Sequence, residues 1–268
     1  MKLIESKVEL IEQQPGLGGV YKQIELAGRT CYKSEDKITE DSAKGFVDRM
    51  IGSKHGAMLE HGTVYLVIPI RLGTKSTIKR YLDNCYSRVS KCSVDNHHYY
   101  CVTTNLRVLV ENEWMDDLCY LYEPTEYHEK RITARFTCDR GVSHEIVRHR
   151  VMSFAQESQR YVSYDKEKFG GEVTFVKPHW YDEEFPACLT WIESLKESEK
   201  KYLELREAGL KPQDARGVLP NATKTEIVVT GFESDWEHFF ELRTAGSAHP
   251  DMRKLAIELK EKLNSVNK

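Results

Sequence analysis

The stretch RHRVMSFAQESQRY at 148–161 sets three cationic side chains side by side, then adds Gln156, Ser158 and Arg160 at two-residue intervals. Arginine forks and hydroxyls are donors matched to phosphate and carboxylate oxygens, so the chemistry suited to this stretch is the grip of a small anion. On a helix each residue turns about 100°, which fans Arg148, His149 and Arg150 over roughly 200°. One phosphate cannot be held by all three. They contact an extended polyanion, or serve two ligands, or the helix ends here and the backbone redirects them. In extended backbone Gln156, Ser158 and Arg160 point one way and Glu157 and Gln159 the other, which suits a phosphate beside a hydrogen-bonding base or sugar. The competing reading is a solvated surface carrying ordinary Arg–carboxylate pairs.

Other chemistry-bearing patterns fail on spacing. HEIVRH at 144–149 sets its histidines five apart, on different helix faces, where a zinc-binding HExxH needs four. GLGG at 16–19 has Tyr21 where the third glycine of a dinucleotide turn belongs, and no strand is expected ahead of it. Neither a nucleophile elbow nor a P-loop occurs. Cys85, Cys92, His97, His98 and Cys101 match no common zinc spacing, so no metal site is expected. Seven scattered cysteines, an odd number, fit reduced thiols better than a disulfide framework.

A net charge of −3 provides no global field toward nucleic acid or anionic membrane, so the basic site is a local feature. The first residues, MKLIESKVEL, lack the apolar core of an export signal, and the longest apolar run, VYLVIPI at 64–70, is too short to cross a bilayer. A cytoplasmic protein with neither nucleic-acid nor membrane partners is expected.

The elements that must position the motif follow from periodicity. GVYKQIELAGRTCYK and TEDSAKGFVDRMIGSKHG read as helical, the second with Thr39 or Asp41 as cap. A strand is expected over 63–71, and RITARFTC at 131–138 alternates like a strand with one buried face. VSHEIVRHR reads as a helix starting near Asp139 or Ser143. GEVTFV is a short strand, helices are expected at about 180–208 and over 234–243, and Pro250 suits the first turn of a last helix. Residues 72–128 are polar and poorly periodic apart from NLRVLVEN at 105–112, and read as an insertion built onto a single catalytic domain spanning 1–268. The expected class is α/β or α+β, helices outnumbering strands.

Taken whole, R-H-R, seven residues, then Ser (148–150 and 158) resembles the signature of the flavin-dependent thymidylate synthases, and Gln-Arg-Tyr continues it. HGAMLEH at 55–61, DRGVSHEIVRHR, DARGVLP at 214–220, HFFELR at 238–243 and AHPDMR at 248–253 are similar to further segments of that family, in order. The resemblance implies a central, mostly antiparallel sheet flanked by helices, and a homotetramer with inter-subunit active sites. It implies binding of FAD, dUMP and methylenetetrahydrofolate, with NADPH as reductant, and dTMP as product without an enzyme nucleophile. By the same resemblance Arg148, His149 and Arg150 contact flavin, as do Ala57, Glu60, Gln156 and His238, with His55 and Glu60 beside flavin and folate. Glu145, at a position usually Gln, lies with Arg148, Gln156, Glu157, Ser158, Gln159, Arg160 and Arg216 around dUMP, Arg216 coming from a neighbouring subunit. Arg243 matches the arginine that favours ionisation of uracil at N3, and is assigned a catalytic role with His55. The chain departs from the family where Phe232 and His238 replace usual Asn residues and Ser247 a usual His, with His249 nearby as a substitute. Against this enzyme stand a nucleotide-binding protein that uses no flavin, and an RNA-binding module built on the arginines and the aromatics at 99–100 and 120–122.

Overall fold

The alternation at 131–138 builds the centre of the molecule. The structure, a computed structural model, describes residues 1–94, 97–167 and 170–266. In chain order its elements are β1 (Lys2–Ile4), β2 (Lys7–Ile11), α1 (Gly16–Tyr32), α2 (Ser42–Gly52), β3 (Thr63–Pro69), α3 (Lys75–Leu82), β4 (Arg88–Val94), β5 (His97–Asn105) and α4 (Leu106–Glu111). They continue with β6 (Arg131–Asp139), α5 (Arg140–Ile146), β7 (Ser153–Gln156), β8 (Thr174–Val176), α6 (Pro186–Glu207), α7 (Pro212–Ala215), β9 (Lys224–Phe232), α8 (Glu233–Arg243) and α9 (Pro250–Val266).

An antiparallel sheet ordered β2-β6-β9-β7 forms the middle layer, with Phe136 opposite Ile227 and Phe154 opposite Val229. Helices α8 and α9 cover one face, where Phe136, Ile227, Val229, Trp236, Phe239 and Leu255 make a buried cluster. Helices α1 and α2 and a second antiparallel sheet, β3-β5-β4, cover the other, packing Ile24, Phe46, Leu66, Val102 and Leu109 against Ala155 and Val228. The third cluster joins α6 to Val162, Tyr164 and Phe175, with β1 and β8 paired in parallel beside it. Each large apolar side chain removed from water in these layers contributes about 1.5–3 kcal/mol. The mixed class with a central antiparallel sheet is the one expected.

Several expectations change. Apart from residues 95–96, which lie outside the described residues, the segment 72–128 is structured: it supplies β4, β5, α3 and α4, and Tyr81, Val102, Leu106 and Leu109 are fully buried. The segment reads as polar because its strands bury threonines; Thr103 and Thr104 are inaccessible, and Thr104 Oγ1 accepts from Ser87 Oγ at 2.9 Å. A strand, β2, does precede GLGG, but it runs antiparallel to β6, so no dinucleotide unit results. Strand β6 buries residues on both faces, since Thr133 and Thr137 are buried as well as Ala134 and Phe136. The helix entering the motif stops at Ile146, so the basic triplet lies beyond it. Asp41 precedes α2 without a capping bond; the Thr39 backbone donates to Ser42 Oγ instead. Among the described residues no helix is long and apolar enough to cross a membrane, and no three metal-ligating side chains cluster.

Candidate active site

Asp139 opens the site. Its carboxylate accepts from Val142 N at 2.7 Å and starts α5 as an N-cap. After Ile146 the backbone folds into tight turns, with His149 N bonded to Ile146 O at 3.2 Å and Met152 N to His149 O at 3.2 Å. The turn sends Arg148 and Arg150 into solvent and His149 inward, where it is 6% exposed. Of the three arrangements the spacing allowed, the helix ends and the backbone redirects the charges.

Arg243, at the end of α8, closes over this turn. Its Nε donates to His149 Nε2 at 2.8 Å, Nη1 to Glu145 Oε2 at 2.5 Å and Nη2 to the Glu145 carbonyl at 2.9 Å. Burial, aided by the positive charge of Arg243 and by His238, pushes His149 down to about 4, so the ring is neutral and its Nε2 accepts. His149 packs edge-on against Phe239 at 4.8 Å between centroids. His238 lies 6.3 Å from that ring and is exposed.

Beyond β7 the expected alternation is present. Glu157 and Gln159 are buried, 3% and 8% exposed, while Gln156 and Ser158 are half-buried and Arg160 exposed. Gln156 Nε2 donates to Ser143 Oγ at 2.8 Å, and Ser158 N to the Cys31 carbonyl at 3.0 Å. The Glu157 carboxylate, expected near a nucleotide, instead takes Lys224 Nζ at 2.7 Å. Lys224 and Lys33 both also reach Glu226; burial alone would raise that carboxyl, but the two ammonium groups outweigh it and hold Glu226 down to about 2. Arg160 lies over the Tyr161 ring, which packs on Tyr32, whose hydroxyl shares a 2.7 Å hydrogen bond with His55 Nδ1. Arg216 sits near the half-buried Arg140, which is lowered first by burial and further by that like charge. The buried Tyr164 hydroxyl has no partner among the described residues.

The expected site residues thus form separate groups. Glu145, His149 and Arg243 lie at the start of β7; Ser158, Arg160 and His55 lie past its end; Arg216 lies beside Arg140. Glu60 faces elsewhere, paired with Arg107 at 2.5 Å in a polar cavity of about 180 Å³ that Asn84 and Asn112 also line. Ala57 is in the 3-10 turn Gly56–His61 between Glu60 and His55. A cavity of about 500 Å³ lined by Leu10, Tyr65, Tyr122 and Arg131 contains none of the motif residues. Tyr32 and Lys224 carry no signal in the sequence, because only the fold brings them beside the motif; Arg140 lies within DRGVSHEIVRHR itself. Phe232, at a usual Asn position, is buried beneath Arg88 and Arg131.

Among the described residues Arg148, Arg150, Arg160 and Arg216 pair with no carboxylate, so their charge is available to a ligand. This donor set fits ligands bearing phosphates, the flavin dinucleotide among them. β7 is the outer strand of its sheet, and Val147, Val151 and Tyr161 are exposed around it.

Comparison with known proteins agrees. The profile of the family described as thymidylate synthase complementing protein matches residues 73–267. Flavin-dependent thymidylate synthases are similar: that of Pyrococcus furiosus is 36% identical over 126 residues, 47% of this chain and 51% of that protein. That of Thermococcus kodakarensis is 36% identical over 146 residues, 54% and 59% of the two chains. That of Mycobacterium tuberculosis is 38% identical over 136 residues, 47% and 54%. The chain therefore spans about half the length of the curated relatives it matches. A crystal structure of a UMP/dUMP methylase, PolB, from Streptomyces cacaoi bound with 5-Br dUMP aligns over 99% of this chain and 93% of that one, with 17% identity and a TM-score of 0.47. The profile covers well over half the chain, and the protein belongs to the thymidylate synthase complementing protein family.

Proposed function

We propose that the protein is a flavin-dependent thymidylate synthase that methylates dUMP reductively to dTMP, with methylenetetrahydrofolate as carbon donor and NADPH as reductant. The observation that carries this reading is the set of Arg148, Arg150, Arg160 and Arg216, which pair with no carboxylate among the described residues, in a chain of this family. FAD, when bound, supplies the hydride chemistry. Arg148 and Arg150 would hold its phosphates, with His238 at its margin, whereas Glu60, paired with Arg107 in a separate cavity, would not reach it from the same chain.

Ser158, Arg160 and Arg216 clasp the nucleotide phosphate, Gln156 presents its amide to the base, and Glu157 and Gln159 support the loop from below. Arg243 stands beside the uracil ring as a fixed cation that stabilises the charge left when N3 loses its proton, and Glu145 holds that cation. His55, bonded to Tyr32, faces the folate side. No cysteine is assigned as nucleophile; Cys31, the one behind Ser158, is pushed up to about 11 by burial and by Glu157, and stays a thiol at neutral pH. The groups stand apart within one chain, so the complete site forms between subunits of a homotetramer, each supplying part.

An absorbance spectrum of the purified protein tests the reading. Oxidised flavin bands that bleach with NADPH, and dTMP formed only when dUMP and methylenetetrahydrofolate are both present, are expected. A colourless protein that takes up no FAD would exclude it, and tight dUMP binding in such a protein would favour a nucleotide-binding role instead.

A further inference from the structure

Resting on that function, we infer that His149 is a positioning residue for Arg243: a neutral imidazole whose Nε2 lone pair fixes the guanidinium in one orientation. Arg243 makes three hydrogen bonds to three acceptors, and Glu145 provides two of them, both to the terminal nitrogens. Those two hold the terminal nitrogens but leave the Nε side of the guanidinium unfixed. The bond from Nε to His149 Nε2, 2.8 Å, closes the third side and leaves one N–H on each terminal nitrogen for a ligand.

The histidine is built to accept. A cationic ring would present a donor to a guanidinium and repel it, and the buried position against Phe239 disfavours that form. With Nε2 as acceptor the ring proton sits on Nδ1. His149 itself, 6% exposed, acts on the reaction only through Arg243. An arginine side chain has several rotatable bonds, and orientation fixed before the substrate arrives favours the transition state more than binding.

Two variants separate this role from core packing. His149→Leu keeps the volume and loses the acceptor, whereas Gln at 149 (His149→Gln) brings an amide oxygen to the place of Nε2. We expect His149→Leu to lower kcat for dUMP methylation about tenfold or more while KM for dUMP moves less than about threefold, the size of one lost bond to a charged group. His149→Gln is expected to return to within about threefold of wild type. Crystal structures of both variants should show Arg243 displaced in the first and retained in the second. Equal kcat in the two variants, or Arg243 unmoved in His149→Leu, overturns the inference. If the wild-type protein forms no dTMP, the proposed reaction fails, and the crystal structures alone then decide the positioning role.

Discussion

Glu226 shows how charge is held beneath the candidate site. Lys224 and Lys33 stabilise its carboxylate in the folded protein, at 2.6 and 2.8 Å, so its folded value of about 2 lies below the ordinary 4.5. A depressed carboxyl contributes stability above its unfolded value and loses it as pH falls through the folded one. The contribution is about 3 kcal/mol at most and disappears between about pH 4.5 and 2. Urea unfolding across that window should show wild type losing more stability than Glu226→Gln, whose neutral-pH stability is already lower; parallel curves for the two proteins would refute the pairing. Glu157 shares Lys224 and faces away from solvent, so its place under the loop is a matter of support.

At the scale of elements, α5 is only seven residues long, too short to persist without its cap and packing. Asp139→Ala removes the bond to Val142 N and should cost about 1 kcal/mol, while Asp139→Asn, an equally good cap, should retain most of it. Chemical denaturation of the two variants checks this, and equal stabilities would deny the cap its role. The helix is terminated by the turn that carries the basic triplet, so the same short element that aims Arg148 and Arg150 outward also delivers His149 to Arg243. Its partner strand β9 lies at the centre of the sheet, between β6 and β7, and joins these pieces by register: Phe154 opposite Val229, Thr137 opposite Glu226.

Over the whole molecule, the outer edge of β7 with its exposed Val147, Val151 and Tyr161 is where an inter-subunit site would form. Val151→Glu should leave the far-ultraviolet dichroism unchanged yet reduce the mass seen by light scattering and the flavin bound per chain; an unaltered mass would place the assembly surface elsewhere. Local pattern was enough to reveal α1, α2, β6, α8 and α9, because each shows one apolar face at its own period, to reveal β3 as an unbroken apolar run, and to reveal the arginine–serine motif, because its chemistry is contiguous in the chain. It was not enough for β9, whose KTEIVVTGF is buried on both faces and so does not alternate, nor for β5, which buries threonines. Which side chains can grip an anion is legible from their types and order along the chain. Which of them face out, which pair inward as Glu157 does with Lys224, and that Arg243 rests on His149 depend on packing, since those contacts join residues some 67 to 94 positions apart and exist only once the layers have come together.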